Sequence, residues 1–285
     1  MKTLQDIHTI AIIGAGTMGS GIAQLAATAG FNTLIYDVNE ATLNNAKKLI
    51  DENLEGAVKR GKMQPDEKNE ILKRIKTVND FQAVIADVMI EAAIEKLDIK
   101  RDIFKQLEAQ NTPDCILATN TSSIPITQIA YGLQNPERVV GMHFFNPAHI
   151  MKLVEVISGT QTNTEVAETI KLLAEKMGKK AVMAKDSPGF IVNRVARHYY
   201  VEGLQILEEN VASLEVIDEL TEASGFKMGP FKLMDLIGVD TNFSVTTSIY
   251  QQFHYDSKFR PSRIQKQLVD AGYWGRKTKK GFYTY

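Results

Sequence analysis

The sequence predicts an α/β layered sheet followed by an all-helical C-terminal domain. Three observations carry that prediction. Short apolar runs alternate with longer amphipathic segments between Thr9 and Ala184, which is the pattern of strands and helices in a layered sheet. A glycine-rich turn, Gly14-Ala15-Gly16-Thr17-Met18-Gly19, follows the first of those runs. Past Asp186 the strand pattern stops, and helical spacing continues to about Asp270. Domains are therefore expected at residues 1–185 and 186–285.

Each element has a local reason. Residues 9–13 form a short apolar run ending at Gly14, a buried strand. Residues 17–29 read as a helix stopped by Gly30. A strand at 32–36 ends at Asp37. A long helix covers 40–60 with Gly61 as its stop, and a shorter one covers 68–75. Further strands are expected at 88–91, 115–118, 139–143, 153–157 and 181–184, with a helix at 98–110. Residues 164–177 are amphipathic: Val166, Ala167, Ile170, Leu173, Ala174 and Met177 fall on one stripe. Ser187 and Pro188 look like an N-cap and a first-turn proline opening the helical part.

Composition bounds the function. At 285 residues, 44% hydrophobic and 24% charged, the chain is an ordinary globular protein with room for two domains. A net charge of -1 argues against a nucleic-acid partner. The single cysteine, Cys115, sits in an apolar run and reads as a core residue, which fits a reducing, cytoplasmic compartment. Residues 7–36 carry no Asp, Glu, Lys or Arg, long enough to raise a membrane span. Five glycines and the polar Thr17, Ser20, Gln24 and Thr28 interrupt that run, so a strand, a turn and a buried helix explain it better. No signal-peptide pattern precedes it, and no membrane association is expected.

The glycine turn carries the first chemistry. Gly14 permits the tight turn, Gly16 lets backbone approach a pyrophosphate, and Gly19 lets helix pack on strand. The helix N-terminus behind them faces the phosphates. Asp37 ends the next strand, where a carboxylate binds a ribose 2′-hydroxyl. Neither Val38 nor Asn39 is basic, so NAD is read over NADP. This is a Rossmann-type dinucleotide-binding pattern.

His143 and Glu155 lie in the apolar segment 141–156. A carboxylate on one ring nitrogen fixes the tautomer and lets the other exchange a hydroxyl proton. The competing reading is a buried structural histidine and a surface glutamate. Asn120-Thr121-Ser122-Ser123 follows the strand at 115–118, at the end where ligands bind in open α/β sheets. An ordinary cap, Ser123 ahead of Pro125, is the alternative there. Asn193, in Pro188-Gly189-Phe190-Ile191-Val192-Asn193-Arg194, is an amide among apolar residues that wants a partner, structural or substrate.

Together with Glu91-Ala92-Ala93-Ile94-Glu95, His143-Phe144-Phe145-Asn146-Pro147 and the ending Gly275 to Tyr283, these segments resemble the 3-hydroxyacyl-CoA dehydrogenase family, closest to its stand-alone 3-hydroxybutyryl-CoA members. The resemblance spans nearly the whole chain. It implies that His143 is the acid/base and Glu155 its orienting partner, and that Ser122 and Asn193 hold the substrate oxygen and acyl chain. It implies cofactor contacts from Asp37, Glu95, Lys100, Asn120, Ser122, Asn146 and Lys277 beside the glycine loop. Coenzyme A contacts fall loosely on Asn53, Lys59 and Arg60. A homodimer through the helical domain is implied, and no metal.

One departure stands out. Where four-carbon enzymes run apolar after the asparagine, this chain has Arg197, which helical spacing puts on one face with Asn193 and Tyr200. It reads as a surface or dimer-interface residue. If that face meets the acyl pocket, it can instead pair a distal carboxylate, as in members acting on 3-hydroxyadipyl-CoA. Two other readings compete with the main one. Enzymes acting on free β-hydroxyacids usually rely on a lysine in the helical domain, and the His143 and Glu155 pair speaks against that. A non-catalytic NAD-binding sensor requires none of Ser122, His143, Glu155 and Asn193.

Overall fold

The computed structural model describes residues 2–285. The chain divides into two compact units, one ending at Ser187 and the other spanning Pro188–Tyr285. The first is built on eight strands: β1 Thr9–Ile13, β2 Asn32–Tyr36, β3 Ile75–Val78, β4 Val88–Glu91, β5 Ile116–Thr119, β6 Val139–Phe144, β7 Leu153–Ser158 and β8 Lys180–Lys185. They form one sheet in the order β3-β2-β1-β4-β5-β6-β7-β8. From β3 through β6 every pairing is parallel; β7 runs antiparallel to β6 and parallel to β8. The first six strands have the doubly wound nucleotide-binding order, which reverses between β1 and β4.

The central strands explain the apolar runs. Ile10, Ala11 and Ile12 of β1 and Val88, Met89 and Ile90 of β4 are buried, because helices cover both faces of a parallel sheet. The helices are α1 Thr17–Thr28, α2 Glu40–Lys59, α3 Pro65–Lys73, α4 Leu97–Gln110, α5 Ile126–Ala130 and α6 Thr164–Lys176. The predicted stripe of α6 is buried at Val166, Ala167, Ile170, Leu173 and Ala174, each large side chain contributing roughly 1.5–3 kcal/mol. Gly30, at φ +96°, ends α1 in a conformation that a β-carbon disfavours. The charge-free run 7–36 is thus β1, a turn, α1 and β2, and among the described residues no helix is long and apolar enough to cross a membrane. Cys115 is buried, and burial pushes its thiol up to about 12.

Three local expectations need correction. The helix read at 68–75 begins at Pro65 and ends at Lys73, and Ile75–Val78 is an edge strand beside β2. Its four residues are too few to show a period, and none is fully buried. Pro188 is not the first turn of a helix: Gly189 and Phe190 have positive φ, so no helix passes through them, and α7 starts at Val192. Nor does Ser123 cap α5. The Asp186 carboxylate, distant in sequence, accepts from Ile126 N at 3.0 Å, Thr127 N at 2.8 Å and Thr127 Oγ1 at 2.6 Å.

The second unit holds α7 Val192–Glu208, α8 Leu214–Ala223, α9 Pro230–Ile237, α10 Val239–Gln252 and α11 Arg263–Asp270, with only isolated bridges near its end. Its core gathers Tyr200, Leu204, Ile217, Phe231 and Met234. Two buried carboxylates organise it. Asp218 accepts from Phe231 N at 2.9 Å and from the Tyr283 hydroxyl at 2.8 Å. Asp235 accepts from Phe282 N and Tyr283 N, both at 2.9 Å.

The Asp186 cap gives a first test. Asp186→Ala should lower unfolding stability by about 1–2 kcal/mol in a urea titration, since it removes the acceptor shared by three donors at one helix start.

Candidate functional site

The site grows from the carboxyl ends of the parallel strands. After β1 the chain turns at Gly14, whose φ is +105°; a β-carbon there would lie 2.7 Å from the Ala92 carbonyl oxygen of the turn after β4. At Gly19 a β-carbon would overlap the Gly14 carbonyl, so only glycine lets α1 start this close to β1. Open space lies over Gly16, so the loop 14–17 and the N-terminus of α1 present backbone to a ligand. Asp37 supports this turn from β2: Oδ2 accepts from Ala15 N and Oδ1 from Asn39 N, both at 2.9 Å. It borders a cleft of about 370 Å³ walled by Ile13, Val38, Phe81, Ile94 and Ile103, apolar enough for an adenine ring.

After β4 and β5 lies a charged network that sequence reading saw only in part. Lys100 is 1% exposed and Glu91 fully buried; its Nζ meets Glu91 at 2.7 and 2.8 Å and Glu95 Oε2 at 3.2 Å. Glu91 also accepts from Ala93 N and Thr119 Oγ1, each at 2.7 Å. Glu95 Oε1 gathers the next loop: Thr121 Oγ1 at 2.6 Å, Ser122 N at 2.8 Å and Ser123 N at 3.2 Å. Burial pushes the Glu95 carboxyl up, but the Lys100 charge and these donors outweigh it and hold it below its usual value. Ser122 and Ser123 therefore answer to Glu95. Glu91 was the missed member. The signal was a carboxylate ending the apolar run Val88-Met89-Ile90, which cannot stay buried without a cation.

One strand further, His143 and Glu155 sit directly opposite each other across the antiparallel pair β6 and β7. Nδ1 of His143 lies 2.8 Å from Glu155 Oε2. The histidine is 5% exposed and the glutamate 0%, so the reading of Glu155 as a surface residue is overturned. An ionised Glu155 only accepts, which puts the proton on Nδ1 and makes Nε2 the basic nitrogen. Asn120 locks the neighbouring strand end: its Oδ1 accepts from Phe144 N at 2.8 Å. Beyond β6, the Asn146–Pro147 peptide is cis and Asn146 is exposed. Lys179 clamps that loop, donating to Ala148 O at 2.6 Å and Met151 O at 2.8 Å.

The remaining candidates sit on other elements. On α2, Asn53 donates to Gln24 of α1 at 3.2 Å, while Lys59 and Arg60 sit at its exposed end. In the helical unit Asn193 is in the first turn of α7, and Lys277 pairs with Asp240 at 2.6 Å. Arg197 is no surface residue: it is 3% exposed, held by carbonyls and a hydroxyl of its own unit.

The sheet order, the glycine turn and Asp37 define a dinucleotide-binding protein. Comparison narrows the class: residues 9–187 match the NAD-binding domain of 3-hydroxyacyl-CoA dehydrogenase and residues 189–285 its C-terminal domain, so the chain belongs to that family. It is 48% identical over 280 residues to the 3-hydroxyadipyl-CoA dehydrogenase of Escherichia coli, covering 98% of this chain but only 59% of that longer protein. It is 40% identical to the 3-hydroxybutyryl-CoA dehydrogenase of Clostridioides difficile, covering 97% and 99% of the two chains. The crystal structure of the (S)-3-hydroxybutyryl-CoA dehydrogenase of Ralstonia eutropha superposes with a TM-score of 0.94 at 39% identity, covering 98% and 99%.

Because Lys100 would keep Glu95 but lose its most buried carboxylate, Glu91→Gln should cost about 1.5–3 kcal/mol in unfolding titrations. Adding Lys100→Met should recover most of the loss.

Proposed function

We propose that the chain interconverts (S)-3-hydroxyacyl-CoA and 3-oxoacyl-CoA with NAD, the four-carbon 3-hydroxybutyryl ester serving as the reference substrate. The observation that carries this reading is the 2.8 Å His143–Glu155 pair set in the sheet one strand beyond the Asn120–Ser123 loop. The loop of glycines and the apolar cleft beside Asp37 fit the cofactor: one offers backbone N–H groups for a pyrophosphate, the other a wall for adenine and a carboxylate for the ribose. Among the described residues no base stands beside Asp37 to welcome a 2′-phosphate; Val38 and Asn39 follow it, and NAD is preferred over NADP.

NAD, when bound, takes or gives the hydride. The protein's own groups handle the proton. Nε2 of His143 receives it from the C3 hydroxyl during oxidation and returns it during reduction. Glu155 holds the ring in one tautomer and balances the imidazolium. Ser122 and Asn193 hold the C3 oxygen and the acyl chain, with Ser122 kept in place by Glu95. Lys100 acts from beneath, fixing Glu95, while Asn120 serves the nicotinamide and Asn146 and Lys277 correspond to cofactor-binding positions of the family. Asn53, Lys59 and Arg60 serve the coenzyme A moiety. A second copy pairs through the helical unit, where Val216, Leu220 and Phe226 are exposed to 51%, 66% and 54%.

Two measurements test the reading. Purified protein should reduce acetoacetyl-CoA rapidly with NADH and poorly with NADPH, followed by nicotinamide absorbance; equal rates would remove the Asp37 assignment. His143→Gln should lower kcat by about 10²–10⁴ while NADH still binds by fluorescence. Glu155→Gln should lower kcat as well with the fold intact, and unchanged turnover in either variant would end the acid/base assignment.

A further inference from the structure

Lys179 is a buried charge to which the dehydrogenase reading gives no part. It stands just before β8 and is 8% exposed. Its Nζ donates to the carbonyls of Ala148 at 2.6 Å and Met151 at 2.8 Å. Burial moves its ammonium below the usual lysine range, and no acidic neighbour offsets that shift. Burial, and after it the Lys179 charge, lowers the His149 imidazole as well. A cation enclosed without a counter-charge is costly, where an apolar side chain of similar length is not. What the ammonium supplies, and an apolar chain cannot, is a donor to two backbone carbonyls at once.

Those carbonyls belong to the turn 147–151 between β6 and β7. Inside the turn, Ile150 N and Met151 N both donate to the Pro147 carbonyl at 3.0 Å. Behind it, Ala148 is 2% exposed and rests on α1, where a β-carbon at Gly21 would lie 3.0 Å from the Ala148 β-carbon. Beyond it, Lys180 N donates to Lys152 O at 2.7 Å. The turn is therefore gripped between the start of β8 and α1, the helix that leaves the glycine loop. Asn146 opens this turn, exposed and three residues past His143.

We propose that Lys179 is a positioning residue for the cofactor: by fixing the carbonyls of Ala148 and Met151 it holds the 147–151 turn against α1, and so sets where Asn146 meets the dinucleotide. The inference rests on the dehydrogenase reading above, in which Asn146 serves the cofactor. Lys179 touches no reacting atom in this role. It acts through the backbone that joins Ala148 to Asn146, and its charge-assisted hydrogen bonds make the hold stiff.

The test is a double-mutant cycle between Lys179→Met and Asn146→Ala, read by fluorescence titration of NADH and by acetoacetyl-CoA reduction. Alone, Lys179→Met should weaken NADH binding and raise its KM by about 10-fold, the low end of what hydrogen bonds to a charged group are worth. The KM for acetoacetyl-CoA and kcat should move far less. In the Asn146→Ala background the same substitution should add little, because its effect runs through that side chain. A lysine that serves stability alone would lower Tm in both backgrounds and leave the NADH affinity of the folded protein unmoved. That result, or NADH losses that add in the double variant, overturns the proposal. Should Lys179→Met fail to fold, Gly21→Ala presses on the same turn from α1 without touching the buried charge. Weaker NADH binding by Gly21→Ala that vanishes in the Asn146→Ala background supports the positioning role, and unchanged binding overturns it. Wild type that binds no NADH and reduces no acetoacetyl-CoA overturns the dehydrogenase reading and the positioning role with it.

Discussion

The pairing of β6 with β7 is the constraint on which the proposed chemistry depends. Every neighbouring pair from β3 to β6 runs parallel, where hydrogen bonds slant and residues are staggered. Reversing β7 sets residues of the two strands directly opposite each other at close range, and His143 and Glu155 form one of these pairs. Both groups are also kept out of water, because β6 is buried along its whole length and Glu155 is fully buried on β7. The imidazole that faces Glu155 helps offset the cost of burying its charge. Pairing direction, burial and tautomer are therefore one arrangement seen at three scales.

A second arrangement steadies the loops on either side. Glu91, Lys100 and Glu95 form a chain of charge from inside the sheet to the surface loop of Ser122. Lys100 is too enclosed to meet a ligand, and its effect is transmitted through Glu95. Networks of this kind are costly when half satisfied and rigid when complete. Here both oxygens of Glu91 are occupied, one by Ala93 N and Lys100, the other by Thr119 and Lys100.

Much of this was legible in the chain. The glycine turn, the strand ending at Asp37 and the apolar stripe of α6 each have a local signature, and each lies where its period or spacing puts it. The positions of His143 and Glu155 were legible as well, but their direct opposition was not, since register is a property of two strands. The cap of α5 was not legible, because its acceptor, Asp186, is remote in sequence, while the alternative weighed there, Ser123, is adjacent. β3 was missed because four partly exposed residues carry no period. Arg197 was misjudged for a different reason: a charged residue on a helix is ordinarily solvated, and only tertiary packing reveals that α10 closes over this one.

The Lys179 clamp has a consequence for how this chain can vary. It binds the carbonyls of Ala148 and Met151, inside the short connection between β6 and β7. Strand periodicity is two, so a slip of a single residue there would turn every side chain of β7 to the opposite face. The clamp leaves that connection little slack. Insertions and deletions, tolerated in most surface loops, should be scarce between Phe145 and Lys152, whatever substitutions accumulate there. The fold thus constrains the length of this segment more tightly than its letters.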